Sequence, residues 1–194
     1  PDLFVVARQE NPLNDQLFES SGAHLVARRS LIVARRILAV ATTPLLPVFN
    51  DHLVNQDERF AQRVKHRLEA VLGGYAPSLW TLDLSGEWAN SIRAAAQEHT
   101  SIRLRHLNTN ARTPDAEHLP CVCLLLERGS LRQFLPGDDE KLQEGDRLLF
   151  AGRGSAHYEM LFSLREPTAL VSLATGRPQP RGAIMRRLAR KRAS

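Results

Sequence analysis

The sequence predicts two units in series: an α/β unit built on a partial Rossmann-like parallel sheet, then a small α+β unit with a mixed or antiparallel sheet. Three observations carry this. The opening stretch places a helix-sized segment between two short apolar runs, the pattern of a parallel βαβ crossover. After Tyr75-Ala76-Pro77 the spacing of apolar residues switches from helical to alternating. The chain has 194 residues, 43% apolar and 24% charged, enough for two modest cores. The expected boundaries are 1–74 for the first unit with its bridging helices, 75–175 for the second, and 176–194 for a basic tail.

Leu3 to Ala7 is continuously apolar, as in a strand buried on both faces of a covered parallel sheet. Asn11 as N-cap and Pro12 at the first helical position open a helix with Leu13, Leu17 and Phe18 on one stripe, and Gly22 is placed to end it. His24 to Ala27 resumes extended structure. Ser30 caps a second helix with Leu31, Ala34, Leu38 and Ala41 on one face; Pro44 and Pro47 bend or break it. Asn55 or Asp57 opens a third, in which Phe60, Val64, Leu68 and Val71 recur at steps of four and three before Gly73-Gly74.

In the second unit Trp80, Leu82 and Leu84 alternate with polar residues as a half-buried strand, and Trp88, Ile92 and Ala95 mark an amphipathic helix. Ile102 to Leu107 alternates again and reads as a strand; Asn108 to Leu119 reads as a loop. Cys121 to Glu127 is a strand, Arg128-Gly129 a turn, and Leu131 to Leu135 its hairpin partner. The turn-rich "PGDDEKLQEGD" leads into a strand over Arg147 to Ala151. His157 to Leu164 is expected to be helical and Ala169 to Ala174 a final strand, with a linker from Gly176 to Pro180. In the tail, Ile184, Met185 and Leu188 can share one side of a helix.

No apolar run approaches the ~20 residues of a membrane helix. A start at Pro1 directly before a core strand leads us to expect a portion of a longer polypeptide, and no leader pattern supports secretion. The net charge of +5 is largely a tail property, since "MRRLARKRAS" holds five basic residues and no acid. Lacking aromatic residues for stacking, the tail is not expected to bind nucleic acid; contact with an anionic membrane surface is compatible with it. Cys121 and Cys123, the only cysteines, project to one face of a strand with poor geometry for a mutual disulfide, so they read as reduced core residues.

Candidate chemistry is sparse. "GRGSAH", Gly152 to His157, stands where a phosphate loop would, but His157 replaces the third glycine and Ala174 stands near the position of a ribose-binding acid; Ser155 as a plain helix cap is the simpler reading. The seven histidines show no metal-ligand spacing and no nucleophile motif occurs, so no catalytic residue is assigned. Asp138, Asp139, Glu140 and Glu144 form an acidic cluster, to be weighed as an oxygen-ligand cation site against a solvated turn. Arg8 and Asn11 lie at the carboxyl end of the first strand, where open α/β sheets bind ligands.

The order of these parts resembles one family. "DLFVVARQENPLNDQLFESSGAHLV", with Ala7-Arg8 ending a strand and Gly22-Ala23 stepping into the next, resembles the second half of the nucleotide-binding domain of the RCK (regulator of potassium conductance) or TrkA family. "SLWTLDLSGEW" followed by "KLQEGDRLLFAG" resembles its small C-terminal module, with Leu142, Gln143, Glu144, Gly145, Asp146, the run Leu148 to Phe150, and Gly152 matching position by position. Gly145 suits a positive φ and Asp146 can hydrogen-bond its own turn, so the motif identifies a module and assigns no chemistry.

The resemblance covers nearly all of residues 1 to about 152. It implies a non-enzymatic cytosolic regulatory domain, fused to or associated with a membrane potassium pore, that senses a small ligand and passes a conformational change to the gate. It also implies pairing into a homodimer or higher homo-oligomer, expected through Leu31, Leu38, Phe60 and Leu68. The family's GxGxxG fingerprint is missing from this chain, so no cofactor is expected here, although a nucleotide such as NAD is possible in a full-length protein. Two other readings stay open: a fragment of an NAD-dependent enzyme, and a nucleic-acid-binding module resting on the tail.

Overall fold

The computed structural model describes residues 5–9, 20, 22, 24–28, 41–113, 117–166 and 168–176. Strand β1 (Val6–Gln9) pairs in parallel with β2 (Leu25–Arg28), Val6 opposite Leu25 and Arg8 opposite Ala27. His24 clamps the start of the pair: its backbone N–H donates to the Val5 carbonyl at 2.9 Å, and its Nδ1 accepts the Val5 N–H at 3.1 Å. Gly22 has φ of 69°, as expected where a helix ends in a left-handed turn. Two parallel strands are what the described residues show of the expected Rossmann-like sheet. The helix expected over 11–19 lies outside them, as does the one from Ser30 apart from Ala41 and Thr42, which are helical.

The first fully described helix was not expected. Helix α1 (Leu46–Val54) begins at the prolines, with Pro47 in its first turn. Proline lacks an N–H that a first turn does not need, so the residues that stop one helix open the next. Helix α2 (Glu58–Leu72) follows as predicted. The Asp57 carboxylate accepts the Phe60 N–H at 2.9 Å, Gly73 at the C-cap has φ of 58°, and Phe60, Val64 and Leu72 are buried. Asp57→Ala should cost about 1 kcal/mol, read as a lower urea midpoint at unchanged slope; an unchanged midpoint would show that the cap contributes nothing.

Strand β3 (Ser78–Asp83), a 3₁₀ turn at Gly86–Ala89 and helix α3 (Asn90–Gln97) come next. The segment Ile102 to Leu107 differs from expectation. Only Arg103 is bridged, to Lys141, while Leu104–Leu107 form a short helix, α4. The apolar positions 102, 104 and 107 fit alternation at first and a helical step at the end; the structure uses both, and all three side chains are buried.

Strand β4 (Cys121–Arg128) turns through Gly129-Ser130 into β5 (Leu131–Phe134), with Arg128 opposite Leu131. Gly129 has φ of 59°, the positive value that a two-residue hairpin loop with glycine first requires. Strand β6 (Arg147–Gly152) and helix α5 (Gly154–Arg165) complete the expected series. Arg153, not Ser155, is the α5 N-cap, and no side chain caps it. The final strand is instead helix α6 (Ala169–Thr175). Its mostly apolar run, interrupted at Ser172, concealed a helical stripe, with Leu170 and Val171 buried and Leu173 and Ala174 packed beside them.

The second sheet has strand order β3-β6-β4-β5 and is antiparallel throughout. A bulge at Leu124 resets β4: Cys123 pairs with Phe150 and Leu125 with Leu149. Before it, Cys121 and Cys123 face one core and Val122 the other. After it, Leu125 shares Leu124's face and Leu126 returns to that of the cysteines.

Each face has its own core. On one, Trp80, Leu82, Leu148 and Phe150 pack against Ile92, Leu107, Met160, Leu164 and Leu170 of α3 to α6. On the other, Val122, Leu124, Leu125, Leu149 and Ala151 pack against Phe49, Phe60 and Val64 of α1 and α2. The antiparallel sheet is thus the middle of three layers.

Candidate ligand-binding cleft

The Leu142 to Gly152 segment is built as a lock. Gly145 has φ of 87°, a conformation costly for residues with a Cβ. Asp146 Oδ2 accepts the Gln143 N–H at 2.8 Å, and the Asp146 N–H donates to the Gln143 carbonyl at 3.2 Å. Leu84 N–H donates to the Asp146 carbonyl and Gly145 N–H to the Leu84 carbonyl, at 2.8 and 2.7 Å, tying the turn to the end of β3. The Asp146 side chain is fully buried. Arg128 grips it with two bonds of 2.8 Å from Nε and Nη2, and Nη2 also donates to the Lys141 carbonyl at 2.6 Å. Both carboxylate oxygens are committed to structure, and Arg128, read from sequence only as a turn residue, is the partner that holds them.

Beside this lock, Glu127 is buried between Arg132, at 2.9 Å, and Arg147. Burial pushes its carboxyl up, but hydrogen bonds and charge from the two arginines outweigh that and hold it below the ordinary glutamate value. A depressed folded-state pKa gives stability that is complete above about pH 4.5 and lost as pH falls through the lower folded value. In acid titrations monitored by circular dichroism, Glu127→Gln should flatten the loss of stability below that pH. An identical acid limb in both proteins would refute this.

The acidic cluster is divided among arginines from distant segments. Asp139 pairs with Arg103 at 3.7 Å and with Arg105; Glu140 pairs with Arg128 at 3.5 Å, and Glu144 with Arg93 at 2.6 Å. Among the described residues no group of three or more histidine, cysteine or acidic side chains is placed to hold a metal ion. Asp138 differs from its neighbours: its carboxylate accepts a single 3.4 Å bond, from the Asn108 amide.

Of the other predicted site residues, Arg8, Phe60 and Leu68 are among the described residues. Arg8 sits on β1, and Asn11, Leu31 and Leu38 lie outside the described residues. Phe60 is buried with its ring 6.5 Å from Phe49 and edge-on to His52 at 5.1 Å, and Leu68 packs against the same core. The Gly152–His157 loop does not fit a phosphate. Its Arg153 N–H is spent on the Pro120 carbonyl at 2.9 Å, and at Gly152 any Cβ would lie 2.6 to 2.8 Å from Pro120 and Cys121 atoms.

One concavity is formed by residues the sequence did not bring together. A cleft of about 380 Å³ opens between α2, α4 and β4, a volume within the range of small-molecule sites. Its inner wall includes Leu104, Asn108, Cys121 and Cys123, all buried; Arg67, His66, His118 and Asp138 are exposed at its rim. Burial, with a smaller contribution from Asp138, pushes the Cys121 thiol up to about 12. Burial likewise drives Cys123 well above the ordinary thiol value. Both are free and protonated, so they line the cleft as small apolar groups and not as nucleophiles. A second cavity, of about 320 Å³, lies between α3 and the Lys141–Glu144 turn, with the Arg93–Glu144 ion pair in its wall.

No family model matches the chain, and no curated protein matches it. The fold on view belongs to the class of α/β/α three-layer modules accompanied by a parallel strand pair. Among solved structures it is similar to a GsuK channel bound to NAD, at 13% identity and a TM-score of 0.34, over 84% of this chain and 22% of that one. It is also similar to a GsuK channel (14% identity, TM-score 0.32, 81% and 22%) and to the GsuK RCK domain (16%, 0.30, 82% and 26%). The chain thus spans about a fifth of the length of the channels it resembles, and likeness at these scores carries no weight for function. Among the described residues no helix is long and apolar enough to cross a membrane.

Proposed function

We propose that the chain is a non-enzymatic, cytosolic ligand-sensing module of a potassium channel or potassium transporter, of the RCK or TrkA type. The observation that supports this best is the Leu142–Gly152 segment. The residues that carry the family resemblance are here given purely structural duties: Gly145 supplies the positive φ, Asp146 the closed turn, and Gly152 the close approach to β4. A parallel strand pair that contains Ala7-Arg8 precedes it, its first strand running one residue further, to Gln9. In this reading the pore, a homodimeric or larger assembly, and the placement of the basic tail near an anionic membrane surface belong to the whole protein.

Regulation of a gate requires a ligand that favours one of two conformations, typically by a factor of about 5–150 in affinity. The test is potassium flux through the whole protein together with its pore in proteoliposomes, with cytosolic extract fractions supplied on the side of this module. A several-fold change in flux that disappears on deletion of residues 75–175 is expected. Flux indifferent to that deletion, or no potassium transport at all, would overturn the proposal.

A further inference from the structure

The rim of the α2–α4–β4 cleft holds two opposite charges that do not neutralise each other. Among the described residues Arg67 and Asp138 form no ion pair, whereas Asp139, Glu140 and Glu144 are each paired. Arg67 Nη1 makes one bond of 3.4 Å to the Leu135 carbonyl, leaving most of a five-donor fork uncommitted. Asp138 accepts only the 3.4 Å bond from Asn108, whose Oδ1 lies 3.9 Å from the Cys121 thiol. Both charges act on Cys123, Asp138 raising its pKa and Arg67 lowering it, which places the two around the same inner wall. Apart from the Asn108 amide, that wall is protonated thiol and aliphatic surface.

We propose that this cleft binds a small zwitterion of the α-amino acid class, its carboxylate held by Arg67, its ammonium by Asp138 with Asn108 fixing that carboxylate, and its side chain laid on Leu104 and the thiols. A guanidinium recognises a carboxylate through paired, charge-assisted bonds. A simple anion would leave the Asp138 charge facing it, and a simple cation would meet Arg67; a ligand carrying both signs satisfies both groups at once. This names the ligand class for the regulatory reading above and depends on that reading for its biological consequence, while the binding itself does not require a pore.

The test uses the 194-residue chain. Each of the twenty standard L-amino acids at millimolar concentration is screened by thermal shift, since a ligand that binds only the folded state raises Tm. Hits are titrated by calorimetry beside the same side chain without its amine and without its carboxylate; for L-leucine these are 4-methylpentanoate and isoamylamine. At least one amino acid should bind, and both truncated analogues should bind at least about tenfold more weakly. Arg67→Gln and Asp138→Asn, both exposed and so expected to fold as judged by circular dichroism, should each weaken binding by about tenfold or more.

The inference fails if no amino acid shifts Tm, if an analogue binds as well as its parent, or if folded variants bind unchanged. Ligand-dependent potassium flux without amino acid binding would sink this inference and leave the regulatory proposal standing. Amino acid binding to a protein whose flux ignores residues 75–175 would do the reverse.

Discussion

Asp146→Ala is expected to lose about 3–5 kcal/mol, the cost of breaking a buried ion pair by removing one partner. The carboxylate is fully buried and serves three donors: Arg128 Nε, Arg128 Nη2 and the Gln143 N–H. Its removal leaves the guanidinium without its counter-charge and reopens the turn that Gly145 shapes. Arg128 keeps about 30% side-chain exposure, so water can reach it, and the loss should fall toward the lower end of that range. A typical domain has only ~5–15 kcal/mol in total, so the variant stands near its folding threshold. Asp146→Asn retains an oxygen for the Gln143 N–H and should recover part of the loss. Urea unfolding of both, with Arg128→Met and the double variant, separates the pair's coupling from the turn. A loss below ~1 kcal/mol for Asp146→Ala would show that the lock is decorative.

Gly152→Ala should cost about 1–3 kcal/mol or more, by overpacking and not by conformational strain. An added Cβ would meet Cys121 Cβ at 2.6 Å, the Pro120 carbonyl oxygen at 2.7 Å and Cys121 Cα at 2.8 Å. Two of these are backbone atoms of the segment entering the neighbouring strand, opposite which Gly152 pairs with Cys121. They cannot turn aside as a side chain would, so β4 and β6 must separate at that end. Gly154→Ala provides the contrast. Nothing lies within 4 Å of its would-be Cβ, and alanine is the better helix former, so that variant should be neutral or slightly stabilised. Thermal melts of the two side by side decide the matter; equal behaviour would contradict the close-approach explanation.

What could be read from the sequence was whatever local spacing determines. Helix α2 has its cap, stripe and terminating glycine within seventeen residues, from Asp57 to Gly73, and each behaves as predicted. Helix α1 was hidden because Pro47 signals a break and a beginning with the same chemistry. Helix α6 was hidden because a short run apolar at every position from Ala169 to Ala174 except Ser172 gives too little contrast to set a period. The bulge at Leu124 reverses the faces of β4 midway, which "CVCLLLE" cannot reveal when all but one residue are apolar.

The cleft was invisible for a different reason. Arg67, Asn108, His118 and Asp138 come from four separate segments and share no motif. Conversely, "DDE" was conspicuous in the sequence because its charges are adjacent, yet the arginines that take up Asp139 and Glu140 arrive from positions 103, 105 and 128.

The strand order carries one more consequence, for the chain as it is made. β6 lies between β3 and β4 and supplies β3's only pairing among the described strands, although of those strands it is the last to be synthesised. Until it emerges from the ribosome, β3 has no partner and the β4–β5 hairpin offers an open apolar edge. The sheet therefore closes late and all at once around its final strand, leaving the nascent module dependent on shelter from other unfolded chains during that interval.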